Sequence, residues 1–436
     1  MEKRREFLQA AGAAFTTSLF TGAVRGANDR PRVAFIGMGR MGISNMTAAM
    51  QQPGVEIAGV CDVYQPHLER AVAASARGPK GEPEVRPAAK GYKDFREIFA
   101  DRSIDAVCIS TPDHWHAYMA VEACKAGKDV YVEKPICVAI EEGRKMVDAA
   151  RKYSRVVQVG TQQRSGVHFQ KACEIVRSGE LGNVTFVRTW NYGNQKEEGI
   201  GNPPDGSPPP GLDWDLWLGP APERPFNANR FGVDPNAFSH FRWFWDYAGG
   251  MMTDWGIHLL DIVQMAFNEA QPTAITALGA KLQIKDNRDT PDTLQVTYEY
   301  PGFIATYENR VCNAQSFFNQ GYGIAFHGTK ATLLVDRAHY RVLAEKDSGV
   351  AEVEEKASNN SNLAHWANFL ECIRTRERPA SDIEIGHKST STAILGNVAL
   401  RSQLRIDWDA RTERVAQAAA RRWLRRDYRK PWKLEV

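Results

Sequence analysis

A glycine-rich turn near the start of the chain restricts its fold more than any other feature. Residues 33–42 read Val-Ala-Phe-Ile-Gly-Met-Gly-Arg-Met-Gly, an apolar run that leads directly into a Gly-x-Gly-x-x-Gly turn. In such a turn Gly37 permits the tight bend, Gly39 lets backbone N–H groups approach a pyrophosphate, and Gly42 lets the next helix pack close to the strand. Asp62 follows twenty residues after the last glycine, at the end of a second apolar run. This layout predicts a strand–helix–strand unit that binds a dinucleotide at the helix N-terminus.

The residues around the turn indicate which dinucleotide binds. Asp62 can accept two hydrogen bonds from the adenosine ribose, and its charge would repel a 2′-phosphate. The sequence therefore predicts NAD as the cofactor in preference to NADP. Arg40 and Met41 lie inside the turn and are expected to contact the cofactor as well.

The rest of the chain is organised as two domains behind a short leader. At 436 residues with 43% hydrophobic side chains, the chain can form two cores. Apolar runs alternate with helical patterns across residues 30–159, which predicts an α/β fold with a doubly wound parallel sheet of the Rossmann type. Residues 160–436 begin with a helix and a strand, pass through a long irregular segment at 193–247, and continue with alternating strands. This predicts an α/β domain with an open, largely antiparallel mixed sheet. The net charge of +3 gives no indication of nucleic-acid binding.

Residues 1–29 have the features of an export signal. Arg4 and Arg5 precede Phe-Leu and an apolar run from Ala10 to Ala23, which is the arrangement of a twin-arginine signal. The run is too short to span a bilayer as a helix, so no stable membrane insertion is expected. The sequence thus predicts a periplasmic or otherwise exported protein, with an uncleaved N-terminal arm as the alternative.

One polar turn lies where a strand of the predicted parallel sheet ends, which is where such sheets bind ligands. It reads Ser110-Thr111-Pro112-Asp-His114-Trp-His116 and opens a helix. The turn is placed to contact the nicotinamide half of the cofactor. For His114, capping of the helix start is an equally good interpretation.

A second polar turn, Tyr131-Val-Glu133-Lys134-Pro135, also follows a strand. Lys134 lies among apolar residues, and partial burial would make it usable in proton transfer. The fixed backbone angle of Pro135 would hold the lysine in place. A surface lysine in a loop is the alternative interpretation.

A third candidate segment runs from Gly249 to Asp261. Asp254, His258 and Asp261 are spaced i, i+4 and i+7, which places them on one face of a helix. A carboxylate can orient an imidazole for acid–base catalysis; a metal site and a structural histidine are the alternatives. No His or Cys cluster completes a coordination sphere, so no metal is predicted, and the seven scattered cysteines are interpreted as small buried residues.

Aromatic residues are concentrated ahead of that segment. Six of the eleven tryptophans lie between Trp190 and Trp255. Rings beside polar side chains suit a polyhydroxylated ligand, because the C–H faces of sugars stack on rings while hydroxyls bond the polar groups. For half of the tryptophans, packing at a domain interface is the alternative. Arg164, Tyr192 and Trp243 are predicted to bind the substrate together with the lysine, aspartate and histidine singled out above.

Together these motifs resemble the glucose–fructose oxidoreductase / inositol 2-dehydrogenase / rhizopine-catabolism (Gfo/Idh/MocA) family over almost the whole chain after the leader. The matching elements occur in the family's order: Gly37-x-Gly-x-x-Gly42, Thr111-Pro-x-x-x-His116, Glu133-Lys-Pro135 and Asp254-x-Gly-x-His258. Three later stretches look like the family's exported subgroup, namely His365-Trp-Ala-Asn-Phe-Leu, Gly386-His-Lys-Ser and Tyr428-Arg-Lys-Pro-Trp.

The resemblance implies a fold, a mechanism and an assembly. It implies a Rossmann domain followed by an α/β domain whose flat sheet builds homodimers or homotetramers. Lys134, Asp254 and His258 match the family's catalytic lysine, aspartate and histidine. The implied activity is reversible hydride transfer between nicotinamide and a hydroxyl of a sugar, sugar acid or polyol.

Two other activities stay open as alternatives. Some relatives oxidise a sugar transiently to cleave a glycosidic bond without net redox change. One such α-N-acetylgalactosaminidase group carries a His-Gly-Leu-Gly-Pro-like segment in place of Asp254-x-x-x-His258, and that segment is absent here, which disfavours this group. A non-catalytic carbohydrate-binding protein is disfavoured because the lysine, aspartate and histidine are all retained.

Overall fold

The computed structural model describes residues 30–78, 86–232 and 239–436. The predicted leader, residues 1–29, lies outside the described residues. No helix within the described ranges is long and apolar enough to cross a bilayer.

The first sheet is the parallel sheet predicted for the N-terminal domain. Its strands are β1 (Arg32–Ile36), β2 (Glu56–Cys61), β3 (Lys90–Tyr92), β4 (Ala106–Ile109), β5 (Asp129–Val132) and β6 (Val157–Val159). The accompanying helices are α1 (Arg40–Met50), α2 (Gln65–Ser75), α3 (Phe95–Ala100), α4 (Asp113–Lys125) and α5 (Ile140–Lys152). All strand pairs are parallel in the order β3-β2-β1-β4-β5-β6. The strand order reverses between β1 and β4, so a crevice opens beyond their carboxyl ends.

The second sheet confirms the prediction of a largely antiparallel mixed sheet. Its strands are β7 (Val184–Tyr192), β8 (Ala274–Ala280), β9 (Thr293–Tyr300), β10 (Phe303–Arg310), β11 (Tyr322–Gly328), β12 (Ala331–Val335), β13 (His339–Ala344), β14 (Val353–Lys356), β15 (Ile406–Asp409) and β16 (Arg414–Val415). They are ordered β14-β13-β12-β11-β7-β10-β9-β8-β15-β16, with β7 and β10 parallel and the other described pairs antiparallel. The accompanying helices are α6 (Val167–Ser178), α7 (Trp214–Leu218), α8 (Ile257–Ala266), α9 (Ser361–Thr375) and α10 (Ile383–Ser402).

One helix of the second half of the chain packs on the first sheet. Trp366 of α9 is fully buried and stacks on Tyr131 of β5, with ring centroids 4.6 Å apart and planes 7° from parallel. Its indole N–H donates to the side chain of Asn45 at 3.3 Å. The predicted domain boundary places α9 in the second domain. Its buried side chains nevertheless pack in the core of the first sheet.

The long irregular segment forms one wall of the central cleft. Between residues 193 and 247 the described helices are α7 and a short 3₁₀ turn at His240–Trp243. Trp217, Phe244 and Tyr247 are buried together there. This aromatic cluster gives an otherwise irregular segment its own core, so that it can hold side chains at the cleft.

Candidate active site

A cleft of about 720 Å³ lies at the carboxyl edge of the first sheet and faces the second domain. It brings together the glycine turn, both polar turns and the Asp254 segment. The predicted cofactor and catalytic residues that line it are Gly37, Gly39, Arg40, Met41, Asp62, Thr111, Pro112, His116, Glu133, Lys134, Asp254 and His258. Gly42 does not line the cleft, because it packs directly beneath the turn.

The glycine turn has the shape that a bound pyrophosphate requires. Gly37 has φ of +85°, and a Cβ on it would lie 2.7 Å from the backbone nitrogen of Thr111. A Cβ on Gly42 would lie 2.0 Å from the Gly37 carbonyl oxygen, whereas Gly39 faces open space with no atom within 4 Å of its Cβ position. Each glycine thus performs the task predicted for it, and the space over Gly39 is left for a ligand.

Asp62 is held rigidly at the end of β2. It is 8% exposed, and its carboxylate accepts hydrogen bonds from the backbone N–H groups of Met38 at 2.6 Å and Tyr64 at 2.9 Å. These bonds orient the carboxylate toward the cleft, while its remaining lone pairs stay available for a ribose. The residues present therefore fit NAD.

The Thr111–His116 turn adds a polar atom that still needs a partner. The hydroxyl of Thr111 is buried and has no hydrogen-bond partner among the described residues. His116 is buried, with Nδ1 2.7 Å from the Pro135 carbonyl oxygen and Nε2 2.8 Å from that of Thr111. Burial lowers the pKa of His116 to about 4. The ring lies between the carbonyl groups of the two polar turns, and in its neutral form it donates to one of them.

His114 is not among the residues that line the cleft, and it does not cap the start of α4 either. It is fully buried, its Nε2 lies 3.0 Å from the Trp217 carbonyl oxygen, and burial lowers its pKa to about 3. The ring packs on Trp217 and Tyr247, with centroids 5.3 and 5.1 Å away. His114 therefore anchors the aromatic cluster to α4.

Glu133 fixes the strand end from which Lys134 projects. It is buried, and its carboxylate accepts hydrogen bonds from Asn45 at 2.9 Å and Gln162 at 3.2 Å. Burial raises the pKa of Glu133. A Cβ on Gly160 would lie 2.8 Å from this carboxylate, so the side chain is enclosed on that side too.

Lys134 and Asp254 form the charged centre of the cleft. The lysine Nζ donates to the Asp254 carboxylate at 3.0 Å and to its backbone carbonyl at 2.9 Å. The other carboxylate oxygen lies 3.3 Å from Nε of Arg242. Burial alone would raise the pKa of Asp254, but Arg242 and Lys134 hold it well below its usual range, so Asp254 is a carboxylate shared by two cations.

His258 is placed differently from the prediction. Residues Met252–Gly256 form a π-helical turn, so Asp254 and His258 do not keep α-helical spacing. No hydrogen bond joins Asp254 to His258 among the described residues, and Nδ1 of His258 is buried without a partner there. Burial, with the positive charges of Lys134 and Arg337, holds the pKa of His258 well below its usual range. The imidazole is therefore neutral and borders the cleft.

Asp261 and Arg164 lie away from the cleft. The Arg164 guanidinium donates to both carboxylate oxygens of Asp261 at 2.9 Å and to Glu269 at 2.7 Å, and its side chain is 4% exposed. The prediction that Arg164 binds the substrate is therefore wrong, because its donors are used in this buried ion pair. The prediction that Asp261 shares a helix face with Asp254 and His258 is wrong too, because the Asp261 carboxylate pairs with Arg164.

Tyr192 and Trp243 also lie outside the residues that line the cleft. The Tyr192 hydroxyl donates to Glu308 at 2.9 Å on the outer face of the second sheet, and Arg310 stacks on the ring at 3.8 Å. Trp243 is 2% exposed and packs under the Arg288 guanidinium, 4.2 Å away. The aromatic residues that do border the cleft are Trp115, Trp217, Trp255, Phe231 and Phe241, together with Phe95 and Phe169.

Sequence reasoning missed four charged residues of the cleft, of which Arg230 pairs with Asp246 and the other three are Asp113, Arg242 and Arg337. Asp113, the first residue of α4, is buried, and this burial, against the opposing charge of Lys134, raises its pKa to about 8. Arg242 comes from the irregular segment, and Arg337 comes from the turn after β12. Asp113 could have been found from its position inside the Ser110–His116 turn; the two arginines have no such signal.

The described residues contain no group of three or more His, Cys, Asp or Glu side chains that could hold a metal ion. All seven cysteines are without a disulfide, and six of them are buried. The interpretation of the cysteines as small buried residues is confirmed, with Cys312 half-buried as the exception.

Family models match both halves of the chain. The model described as "Oxidoreductase family, NAD-binding Rossmann fold" matches residues 31–161, and the model described as "Oxidoreductase family, C-terminal alpha/beta domain" matches residues 188–434. The predicted NAD-binding domain is thereby confirmed. The predicted domain boundary at residue 159 lies close to the end of the first match.

Solved structures share the fold over most of the chain. The WlbA dehydrogenase of Bordetella pertussis, solved with NADH and UDP-GlcNAcA, is 19% identical; the similarity covers 87% of this chain and 99% of that one, with a TM-score of 0.65. A levoglucosan dehydrogenase, solved with NADH and levoglucosan, is 16% identical, with 87% and 99% coverage and a TM-score of 0.65.

Curated relatives match a shorter part. A glycosyl hydrolase family 109 protein of Shewanella sp. (strain W3-18-1) is 31% identical over 204 residues, which cover 42% of this chain and 44% of that protein. A second, from Shewanella putrefaciens, is 30% identical over the same length and coverage. The match thus spans less than half of these relatives. Taken with the fold and the cleft, the two family models establish that the chain belongs to the Gfo/Idh/MocA family of NAD-binding oxidoreductases.

Proposed function

We propose that the protein transfers hydride between NAD and a hydroxyl of a sugar, sugar acid or polyol. The observation that carries the proposal is the ion pair of Lys134 and Asp254, which shares one cleft with the glycine turn and a neutral His258. The cleft therefore holds a cofactor site and a proton-handling site side by side. Bound NAD supplies the hydride acceptor or donor, held by the glycine turn and Asp62.

The side chains of the cleft divide the remaining work. An ammonium group has three N–H donors, and Lys134 uses two of its three on Asp254, which leaves one for a substrate oxygen. That donor stabilises negative charge on the oxygen as the hydroxyl is oxidised. Neutral His258 is in the form that accepts the hydroxyl proton. Asp254 acts on the lysine, because it fixes the position of Nζ.

The protein surroundings limit water at this centre. The side chains of Lys134 and Asp254 are 14% and 13% exposed, and Trp255 and Phe241 border the same cleft. Low local polarity strengthens each charged hydrogen bond there. Aromatic faces also offer stacking surfaces for the C–H faces of a sugar ring.

The direct test is to denature the purified protein and measure released NAD(H) by mass spectrometry, then to screen sugars, sugar acids and polyols for nicotinamide reduction. We expect reduction by at least one compound, and a loss of turnover of about 10²–10⁴-fold in Lys134→Ala and His258→Ala with NAD binding retained. Near-wild-type turnover in both variants would contradict the proposed roles.

A redox-cycling glycosidase or lyase is the second candidate. It is favoured by the curated relatives, which carry the name glycosyl hydrolase family 109. Aryl glycosides separate the two: a redox-cycling enzyme releases the aryl alcohol with no net accumulation of NADH, whereas a dehydrogenase accumulates NADH from a free sugar. Retention of Asp254-x-x-x-His258 supports the dehydrogenase.

Export is a further part of the proposal. The twin-arginine pair at Arg4 and Arg5 would direct a folded protein out of the cytoplasm. A cofactor that dissociated outside the cytoplasm would be lost. We therefore expect NAD to be retained through purification, and we expect the assembly to be a homodimer or homotetramer, which light scattering measures.

A further inference from the structure

The substrate half of the cleft carries an arginine that the reaction does not use. We propose that Arg337 binds a carboxylate of the substrate, so that the preferred substrate is a sugar acid. This inference rests on the proposed function and names the substrate class within it.

The turn that carries Arg337 is fixed from within. Asp336 is buried, and its carboxylate accepts hydrogen bonds from the backbone N–H groups of Ala338 at 2.7 Å and His339 at 3.0 Å. Gln320 donates to the other carboxylate oxygen at 2.8 Å. The turn between β12 and β13 therefore holds the Arg337 backbone in one position, as a ligand-binding group requires.

The Arg337 guanidinium faces the cleft, and no side chain in the described part of the chain accepts a hydrogen bond from it. The central guanidinium carbon, Cζ, lies 4.7 Å from the centre of the Trp255 ring, and Arg337 and Trp255 both line the cleft. Among the described residues no carboxylate pairs with it, whereas Arg230 pairs with Asp246 at 3.2 Å and Arg242 pairs with Asp254 at 3.3 Å. Stacking on Trp255 fixes the plane of the guanidinium and leaves its edge open to a ligand.

The charges of the described cleft residues favour an anion. Arg230 lines the cleft too, but Asp246 pairs with it. The other cations on this side are Lys134, Arg242 and Arg337, and the charged carboxylate that faces them is Asp254. Asp113 does not balance them at neutral pH, because burial raises its pKa to about 8. Three cations therefore outnumber one carboxylate on the substrate side, and an anionic ligand would offset the excess.

A carboxylate suits this position better than a hydroxyl does. The planar fork of an arginine donates two parallel hydrogen bonds to a carboxylate, and bonds between charged groups are about twice as strong as neutral ones. Arg337 and His258 line the same cleft, and the positive charge of Arg337 contributes to the lowered pKa of His258. One sugar can therefore contact both side chains. We expect a sugar acid to exceed its neutral parent in kcat/KM by about 10- to 100-fold.

The test compares matched pairs on the NAD-loaded protein. D-glucuronate is measured against D-glucose and D-galacturonate against D-galactose, by NADH formation and by the quenching of tryptophan fluorescence on binding. The variants are Arg337→Gln, Arg337→Lys and the control Arg341→Gln, whose side chain lies on β13 and donates to the Phe318 carbonyl at 3.3 Å outside the cleft.

We expect Arg337→Gln to raise KM and the dissociation constant for the sugar acids about 10- to 100-fold, with little change for the neutral sugars. Arg337→Lys should recover part of that loss, and Arg341→Gln should match the wild type. Equal affinity for acid and parent, an Arg337→Gln variant that behaves as Arg341→Gln does, or a preference for hexose phosphates would overturn the inference. Turnover of neutral sugars alone would overturn it while the proposed function stands, whereas failure of every sugar to reduce nicotinamide would count against the proposed function.

Discussion

Replacing Asp254 with asparagine removes the carboxylate that two cations of the cleft share. Asp254 lies 3.0 Å from Lys134 and 3.3 Å from Arg242, and the side chains of Asp254 and Lys134 are 13% and 14% exposed. At 3.0 Å and an effective dielectric constant of about 20, one such pair has about 5 kcal/mol of Coulomb energy before desolvation is counted. Removing one partner of a buried pair costs roughly 3–5 kcal/mol, because the remaining charges stay buried. We expect Asp254→Asn to lower the free energy of unfolding by that amount.

A matched variant separates stability from catalysis. Asp129 is buried and pairs with Arg376 at 2.6 Å, but it begins β5, whereas Lys134 follows the end of that strand. Both Asp254→Asn and Asp129→Asn should lower the free energy of unfolding, measured by urea denaturation followed by tryptophan fluorescence. Only Asp254→Asn should also lower kcat, by about 10²-fold, because Lys134 loses the group that positions it.

The pH dependence gives this prediction a second check. Because the folded pKa of Asp254 is held below its usual range, its stabilising effect is present above the unfolded pKa of about 4 and is lost as pH falls further. The difference in unfolding free energy between wild type and Asp254→Asn should be constant from neutral pH to about pH 4 and then shrink. An Asp254→Asn protein as stable as the wild type at neutral pH, or one with unchanged kcat, would refute the reasoning.

Three further predictions concern the cofactor, a buried acid and export. The wild type should bind NAD more tightly than NADP by about 1–3 kcal/mol, and Asp62→Ala should narrow that gap in calorimetric titrations, since the carboxylate repels a 2′-phosphate; equal affinities in the wild type would contradict it. Because burial raises the pKa of Asp113 to about 8, the wild type should lose unfolding free energy, relative to Asp113→Asn, by up to about 1.4 kcal/mol per pH unit between about pH 4 and 8; parallel stability curves would count against the protonated acid. Replacing Arg4 and Arg5 with lysines should retain the protein in the cytoplasm of its native host, and unchanged fractionation would argue against the signal.

The sequence predicted the cofactor side of the cleft because its constraints are local. Gly37 needs a left-handed backbone and Gly42 needs close approach, and both requirements are visible in the spacing of the turn. Strand β4 is a continuous apolar run, and the residues of β4 and β5 are all buried, as expected for central strands of a parallel sheet.

The substrate side depends on contacts between distant parts of the chain, which spacing does not encode. Arg164 looked available for a ligand, but Asp261 and Glu269 occupy its donors. The π-helical turn at Met252–Gly256 changed the spacing that had placed Asp254 and His258 together. Arg337 lies in the turn between β12 and β13, and its position in the cleft depends on how the second sheet packs against the first, not on any local sequence pattern.

The most direct test of the central claim is a single-turnover measurement of the nicotinamide absorbance of the purified, NAD-loaded protein. We predict that adding a sugar-type substrate produces the absorbance of reduced nicotinamide in the wild type, and that this signal is slowed by about 10²–10⁴-fold in Lys134→Ala and in His258→Ala while both retain bound NAD. Reduction at the wild-type rate in both variants would contradict the roles assigned to these two residues. No reduction of the wild-type protein by any sugar, sugar acid, polyol or glycoside would contradict the claim that the cleft transfers hydride to and from carbohydrates.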